Sequence, residues 1–157
     1  MRRKDREITD PAEILEIWKK CRICRVAMAD GPRPYVVPMN FGIEEQGGKL
    51  VVYLHSALEG RKLKILQNRP AVCLEADCEY ELLEADTACG YSCAFASVIA
   101  EGKAVVLEDW EEKARGLSVL MEHQAGKAFS FTQAQTDTVA VIRVELAIVT
   151  AKRRPLP

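Results

Sequence analysis

Stretches with the composition of β-strands make up most of this chain, and several of them follow one another directly in the sequence. Only three helix-like segments interrupt them, in the order helix, strands, helix, strands, helix, strand. This order lacks the regular strand–helix alternation of a doubly wound parallel sheet. We therefore expect a single domain over residues 1–157 with a mainly β (α+β) fold, an antiparallel barrel of about six strands with flanking helices. The predicted strands are CRVAMAD (24–30), YVVPMNFGIEE (35–45), KLVVYLHS (49–56), AVCLEADCEYELLE (71–84), YSCAFASVIAEGKAVVLE (91–108) and DTVAVIRVELAIVTAK (137–152).

Capping residues indicate where the first and third helices begin. Asp10 precedes Pro11, and Glu13 stands where it would complete a capping box, so a helix is predicted from Pro11. Asp109 is the predicted N-cap of the third helix, and Gly126 is the residue expected to terminate it.

The second helix is predicted to begin directly after the strand that ends at residue 56. Ser56 is a favourable N-cap, and Glu59 follows three residues later as its capping-box partner. We expect the helix to stop before Pro70, because the residue preceding a proline disfavours helical geometry.

The same corner contains the residue types of an anion site. Free backbone N–H groups and the dipole at a helix start both favour negative charge. Ser56 adds a hydroxyl, Gly60 lets the backbone approach a ligand, and Arg61 and Lys62 add two cations. Two interpretations stay open from the spacing alone: a binding site for a phosphate group, or a capped helix with two solvated charges.

Pro38 lies inside a predicted strand. Because proline has no N–H to donate to a neighbouring strand, it indicates a sheet edge, a bulge, or a place where a ligand contacts the sheet.

Charge and cysteine content narrow the functional classes. The net charge of −1 disfavours a dedicated nucleic-acid binder, and no apolar run is long enough for a transmembrane helix. The basic and acidic N-terminus lacks the apolar segment of a secretory signal, so we expect a cytoplasmic location. The six cysteines are then expected to be thiols, mostly buried. The spacings of Cys21–Cys24 and Cys89–Cys93 do not match for zinc, although a metal or redox role stays open.

Three motifs in a fixed order carry a family resemblance: Y-x-V-P-x-N-F (35–41), H-S-A-x-x-G-R-K (55–62) and S-V-I-x-x-G-K-A (97–104). Together they resemble the flavin-binding split barrels related to pyridoxamine 5′-phosphate oxidase, and most of all the branch of 5-nitroimidazole resistance (Nim-like) proteins. The resemblance covers nearly the whole chain. It implies an antiparallel FMN-binding split barrel that forms a homodimer with two FMN sites at the interface, with FAD as an open alternative.

The resemblance also implies a set of flavin-contacting residues. Arg61 and Lys62 are expected to bind the phosphate with help from Ser56, and residues 37–40 to run beside the isoalloxazine ring. Ser97 and Val98 resemble a strand that contacts flavin from the partner subunit. The full set is Val37, Pro38, Met39, Asn40, His55, Ser56, Gly60, Arg61, Lys62, Ser97 and Val98.

The two histidines receive different interpretations. His55 is either a packed side chain or a flavin contact and proton donor, the only candidate catalytic residue, because an imidazole changes charge near neutral pH. His123, near a predicted helix end, is expected to be structural or interfacial.

Three functional hypotheses follow. The first is a flavin-dependent oxidoreductase that passes electrons to a small acceptor such as a nitroaromatic or a quinone, with no nucleic-acid or membrane partner. The second is a flavin or haem module with little turnover, in which His55 would be an axial ligand. The third is a non-catalytic interaction protein. Pyridoxamine phosphate is a disfavoured substrate because the end of the chain, VELAIVTAKRRPLP, lacks the family's R-x-H-type signature, and Arg153 and Arg154 are expected to form a solvated tail.

Overall fold

The computed structural model describes residues 3–156, and its main feature is a ring of antiparallel strands. Six long strands pair in the order β7-β4-β3-β2-β5-β6, and β6 pairs with β7 to close the ring. A two-residue strand, β1, extends the sheet beside the end of β7. The strands are β1 (Glu7–Ile8), β2 (Ile23–Asp30), β3 (Arg33–Gln46), β4 (Lys49–Ser56), β5 (Ala71–Leu83), β6 (Ser92–Val106) and β7 (Ala140–Arg154). This arrangement confirms the antiparallel split-barrel prediction.

The helices are α1 (Pro11–Lys20), α2 (Arg61–Asn68), α3 (Trp110–Ala125) and the short α4 (Gln133–Thr136). Helix α3 covers the outer face of the ring, whereas α1 and α2 add their apolar side chains to its core. Asp10 caps α1 by accepting from the Ala12 backbone N–H at 3.1 Å, and Asp109 caps α3 by accepting from Glu111 and Glu112. Gly126 ends α3 in the left-handed conformation, as predicted. None of the helices within residues 3–156 is both long and apolar enough to cross a membrane.

The interior of the ring is filled by the alternate, inward-facing residues of the strands. Trp18 of α1 inserts into this core, where its ring meets that of Phe41 edge to face, with 5.3 Å between centroids. Helix α3 packs so closely on β3 that a Cβ on Gly42 would come within 2.5 Å of the Leu120 backbone. Glycine at position 42 therefore sets the distance between helix and barrel.

The two longest strand pairings each change register once. Between Glu101 and Gly102 the β6–β7 register shifts. On β5 a bulge separates Cys78 from Glu81, and Glu79 within it has a positive φ of 59°.

The predicted start of the second helix is wrong. Ser56 is the last residue of β4 and pairs with Ala140 of β7, so the chain is still extended there. Helix α2 begins only at Arg61, with Gly60 at the N-cap position, and the capping box with Glu59 does not form. The strand pairing decides the conformation of Ser56, whereas the sequence pattern considered only its local neighbours.

Two further predictions are wrong, one at the start of α1 and one at the end of β7. Glu13 does not complete a capping box on α1, because its carboxylate accepts a hydrogen bond from Arg153. Arg153 is therefore not part of a solvated tail: β7 continues to Arg154, and Arg153 also donates to Glu79 at 3.1 Å. Neither β1 nor α4 was predicted, although Thr132 and Gln135 form a capping box at the start of α4.

Candidate functional site

The corner between β4 and α2 places Ser56 and His55 in different environments. The Ser56 side chain is buried and its hydroxyl donates to the Ala57 carbonyl at 2.9 Å. His55 precedes it on the strand, so its side chain points to the opposite face, where it is exposed. Ser56 therefore supports the corner, while the His55 imidazole is accessible from solution.

The N-terminus of α2 has no side-chain cap within residues 3–156. Gly60 occupies the N-cap position with a φ of 150°, a conformation that side chains other than glycine rarely adopt. No atom lies within 4 Å of where its Cβ would be. The first N–H groups of α2 and the helix dipole therefore face an open approach, which is the arrangement that binds anions.

Arg61, the first residue of α2, is held above the β2–β3 hairpin. Its Nε and Nη2 donate to Asp30 Oδ2 at 2.8 and 2.6 Å. The guanidinium also lies over the Tyr35 ring, 4.3 Å from the centroid. These contacts orient the guanidinium, and they use only one of its edges. Lys62 follows, half-buried.

A groove of about 350 Å³ adjoins Arg61 on the hairpin side. Arg69 closes one part of it by donating to the Gly31 carbonyl at 3.1 Å. Lys64 adds a third cation to its lining, against the single carboxylate of Asp30. The local charge is thus positive, although the whole chain carries a net charge of −1.

The first half of β3 has one unpaired edge among the described strands. Residues 33–40 pair with β2 alone, and pairing with β4 begins only at Phe41. Pro38, opposite Arg25, lies in this half, which confirms the interpretation of an edge. Val37 and Met39 face the core, whereas Pro38 and Asn40 are exposed. The backbone of this segment is therefore open to a ligand.

Asn40 links this edge to α3. Its Nδ2 donates to the Arg22 carbonyl at 3.2 Å and to Gln124 Oε1 at 3.3 Å. The side-chain amide of Asn40 is therefore already engaged in hydrogen bonds within the protein.

Ser97 and Val98 lie on another side of the ring. They pair with Asp77 and Ala76 of β5 and with Lys152 and Ala151 of β7. Counting from β3 through β2 and β5, they are three strand spacings from Pro38, about 14 Å. Val98 is fully buried in the core, and Ser97 is half-buried on the outer face. The structure therefore places residues 60–62 beside the start of β3 at Tyr35, shortly after His55 and Ser56 in the chain, and places Ser97 and Val98 on the opposite side of the ring.

Sequence reasoning missed Asp30 and Tyr35, the two residues that orient Arg61. Tyr35 begins the motif Y-x-V-P-x-N-F, which was a usable signal. Asp30 is the last residue of β2, 31 positions before Arg61, and only the tertiary fold brings the two together.

His123 has the structural role expected of it. Its Nε2–H donates to the Lys19 carbonyl at 3.1 Å, and its ring meets Phe41 edge to face at 4.6 Å. Its Nδ1 is buried without a partner in the described part of the chain. Burial is the main cause that lowers the pKa of His123 below its ordinary value of 6.5.

The expectation of free thiols is confirmed for all six cysteines. Cys21 and Cys24 are buried, and burial raises the pKa of the Cys24 thiol to about 12. Cys21 is the C-cap of α1, and the pKa of its thiol is raised even further, mainly by burial.

Comparison with known proteins agrees with the fold and with the motifs. The family model described as Pyridoxamine 5'-phosphate oxidase matches residues 10–153. No sequence among the curated proteins matches this chain.

Solved structures give the same assignment. A candidate 5-nitroimidazole antibiotic resistance protein from Bacteroides thetaiotaomicron is 34% identical, with a TM-score of 0.81 over 94% of this chain and 86% of that one. The flavocytochrome Anf3 from Azotobacter vinelandii is 23% identical, with a TM-score of 0.81 over 100% of this chain and 73% of that one. An FAD and heme binding protein from Mycobacterium smegmatis, 15% identical, has a TM-score of 0.80 over 96% and 74%.

The similarities to the flavocytochrome and to the FAD and heme binding protein show a shared fold. The family model and the Bacteroides protein show which family the chain belongs to. The chain belongs to the pyridoxamine 5′-phosphate oxidase-related family of flavin-binding split barrels, in the branch of the 5-nitroimidazole resistance proteins.

Proposed function

We propose that this protein binds FMN and acts as an oxidoreductase toward a small acceptor such as a nitroaromatic or a quinone. The observation that carries the proposal is the uncapped N-terminus of α2, with Arg61 held beside it on Asp30 and Tyr35. A phosphate monoester matches this set of donors, because it accepts several charge-assisted hydrogen bonds at once.

The residues present fit the cofactor. Within residues 3–156, Asp30 accepts from Nε and Nη2 of Arg61, which leaves Nη1 for a phosphate oxygen. Lys62 adds a second charge, and Gly60 keeps the approach open. Ser56 contributes by fixing the end of β4, since its hydroxyl is engaged with Ala57.

The unpaired edge of β3 is the place we assign to the isoalloxazine ring. Residues Val37–Asn40 offer backbone groups there, and Pro38 removes one donor that would otherwise be unpaired. The cofactor supplies the electron transfer, and the chain supplies position and electrostatics. His55, exposed at the end of β4, is the group we assign to contact the ring and to donate a proton to the acceptor.

We also propose a homodimer in which Ser97 and Val98 approach the flavin of the other subunit. The separation of these two residues from Pro38 within one chain supports this arrangement. Exposed apolar side chains beside the candidate site support it as well, because Val36 is 54% and Leu58 57% accessible. The free state of all six cysteines supports a cytoplasmic location.

The similarity to the Bacteroides protein supports a nitroaromatic acceptor. A role as pyridoxamine phosphate oxidase is less well supported, because Arg153 is engaged with Glu13 and Glu79 and the R-x-H-type signature is missing.

The absorption spectrum of the purified protein, taken before and after denaturation, tests the proposal directly. We expect a flavin spectrum and, after denaturation, release of FMN. Anaerobic photoreduction followed by a nitroimidazole should reoxidise the flavin. A Soret band in place of the flavin spectrum, or colourless protein that does not take up added FMN, would overturn the proposal.

A further inference from the structure

The groove beside Arg61 continues from the proposed phosphate site along α2 to the end of the helix. One wall is a single face of α2, because Arg61, Lys64 and Asn68 follow one another at helical spacing. The other wall is the β2–β3 hairpin at residues 29–31. Arg61 borders the groove and is also the first residue of the helix, so the two spaces are contiguous. The volume of about 350 Å³ is in the range of sites for small ligands.

Two cations of the groove have no carboxylate partner within residues 3–156. Arg61 is paired with Asp30, but Lys64 is in no such pair. Arg69 donates from Nη1 to the Gly31 carbonyl, and its other guanidinium nitrogens have no acceptor in the described part of the chain. Three cations against one carboxylate leave an excess of two positive charges in the lining. The groove therefore favours an anion beyond the one expected at the helix start.

The lining between these charges is partly apolar. Ile65 is 6% exposed and lies on the groove face of α2. Asn68 donates from Nδ2 to the Lys64 carbonyl at 2.9 Å, which fixes the amide, and its Oδ1 accepts from no donor within residues 3–156. An apolar surface beside a free acceptor suits a nucleobase, which has an apolar face and a polar edge.

We propose that this groove binds the adenylate half of FAD, so that the site takes FAD as well as FMN and binds FAD more tightly. The inference rests on the proposed function, because the first phosphate of FAD occupies the same helix start as the phosphate of FMN. In FAD the negative charge is divided between two linked phosphates, so the second phosphate needs cations of its own. Lys64 and Arg69 bind the second phosphate, and Ile65 and Asn68 contact the adenine.

The order of the groups along β3 supports a ligand joined to the flavin phosphate. The groove lies at the hairpin where β3 begins, and Arg61 is held over Tyr35 next along the strand. The segment Val37–Asn40, assigned to the isoalloxazine ring, follows Tyr35. Adenylate, diphosphate and ring come in the same order in FAD. A separate nucleotide in the groove would face the phosphate end of the flavin and not its ring.

Titration calorimetry of the full-length apoprotein with FMN and with FAD tests the inference. We expect the Kd for FAD to be lower than that for FMN by about fivefold or more. Lys64→Gln and Arg69→Gln should each raise the Kd for FAD by about five- to tenfold and that for FMN by less than about twofold, because each removes a contact to the second phosphate alone. Arg115→Gln on α3 is the matched control and should change neither Kd.

A Kd for FAD equal to or higher than that for FMN would overturn the inference and leave the proposed function intact. Equal losses of FMN and FAD binding in Lys64→Gln would overturn it as well. Failure to bind either flavin would overturn both the inference and the proposed function. Lys64→Gln decides the outcome if Arg69→Gln fails to fold, since Arg69 also supports the hairpin through Gly31.

Discussion

Arg61 Nη2 lies 2.6 Å from Asp30 Oδ2, and this contact joins the start of α2 to the β2–β3 hairpin. The side chains are 48% and 34% exposed, so solvent screens the pair and its contribution to folding stability is small. Its consequence is positional, because the guanidinium is held over Tyr35 before any ligand arrives. The proposed phosphate contact thus requires little ordering of Arg61 on binding.

Replacing Arg61 by glutamine should weaken FMN binding and leave riboflavin binding unchanged, because riboflavin has no phosphate. Loss of a charge-assisted hydrogen bond of about 1.5–3 kcal/mol corresponds to a rise in Kd of about 10- to 150-fold. Fluorescence titration of the apoprotein with each flavin measures this. Arg115→Gln, an exposed arginine of α3 that pairs with Glu44, is the matched control. An equal loss for both flavins in Arg61→Gln would contradict the phosphate assignment.

Replacing Asp30 by asparagine should weaken FMN binding by about two- to fivefold, because the carboxylate that holds Arg61 over Tyr35 before the phosphate binds is lost. The free energy of unfolding should change by less than about 1 kcal/mol, since the ion pair is exposed. Titration calorimetry and urea denaturation measure the two quantities. Tighter FMN binding would show that Asp30 competes with phosphate for Arg61 more than it orients the guanidinium.

Two alanine substitutions distinguish a true helix cap from a strand end. Asp109→Ala should lower the free energy of unfolding by about 1 kcal/mol, because the aspartate accepts from two N–H groups of α3. Ser56→Ala should cost less than about 0.5 kcal/mol, because Ser56 caps no helix and gives up one hydrogen bond to Ala57. Urea denaturation compares them, and a larger loss in Ser56→Ala would argue against the observed start of α2.

Replacing Gly42 by alanine should destabilise the protein by about 1–3 kcal/mol, because the new methyl group would overlap the backbone of α3. A helix backbone cannot move aside as a flexible side chain can. Thermal denaturation should show a clear fall in Tm. Glu45→Ala, an exposed position near the end of the same strand, should leave the Tm nearly unchanged; similar Tm values for the two variants would contradict the close packing.

His123 should make stability depend on pH. Its folded-state pKa lies below the ordinary value of 6.5, so the fold favours the neutral imidazole. The stability that the neutral imidazole of His123 contributes is fully present above its unfolded-state pKa. It is lost as the pH falls from that value through the lower folded-state pKa. Urea denaturation between about pH 8 and about pH 5.5 should therefore show a greater loss of stability in the natural protein than in His123→Gln. Parallel curves would be the contrary result.

Local patterns were enough to predict most of the secondary structure. Alternating and β-branched residues indicated the six long strands, and Asp10, Asp109 and Gly126 marked helix ends that the structure confirms. These signals act over three or four residues, so the sequence displays them directly. The β4–α2 corner was mispredicted because a strand pair with Ala140, 84 positions away, keeps Ser56 extended.

The sequence by itself determined the strand content, the helix caps and the three motifs that identify the family. The tertiary structure alone decided which side chains meet. Asp30 reaches Arg61 only because β2 and β3 form a hairpin beneath α2. Lys20 reaches Glu79 only because α1 ends against the bulge of β5. The physical reason is that such contacts depend on strand register and ring closure, which arise from the packing of the whole core and leave no trace in local spacing.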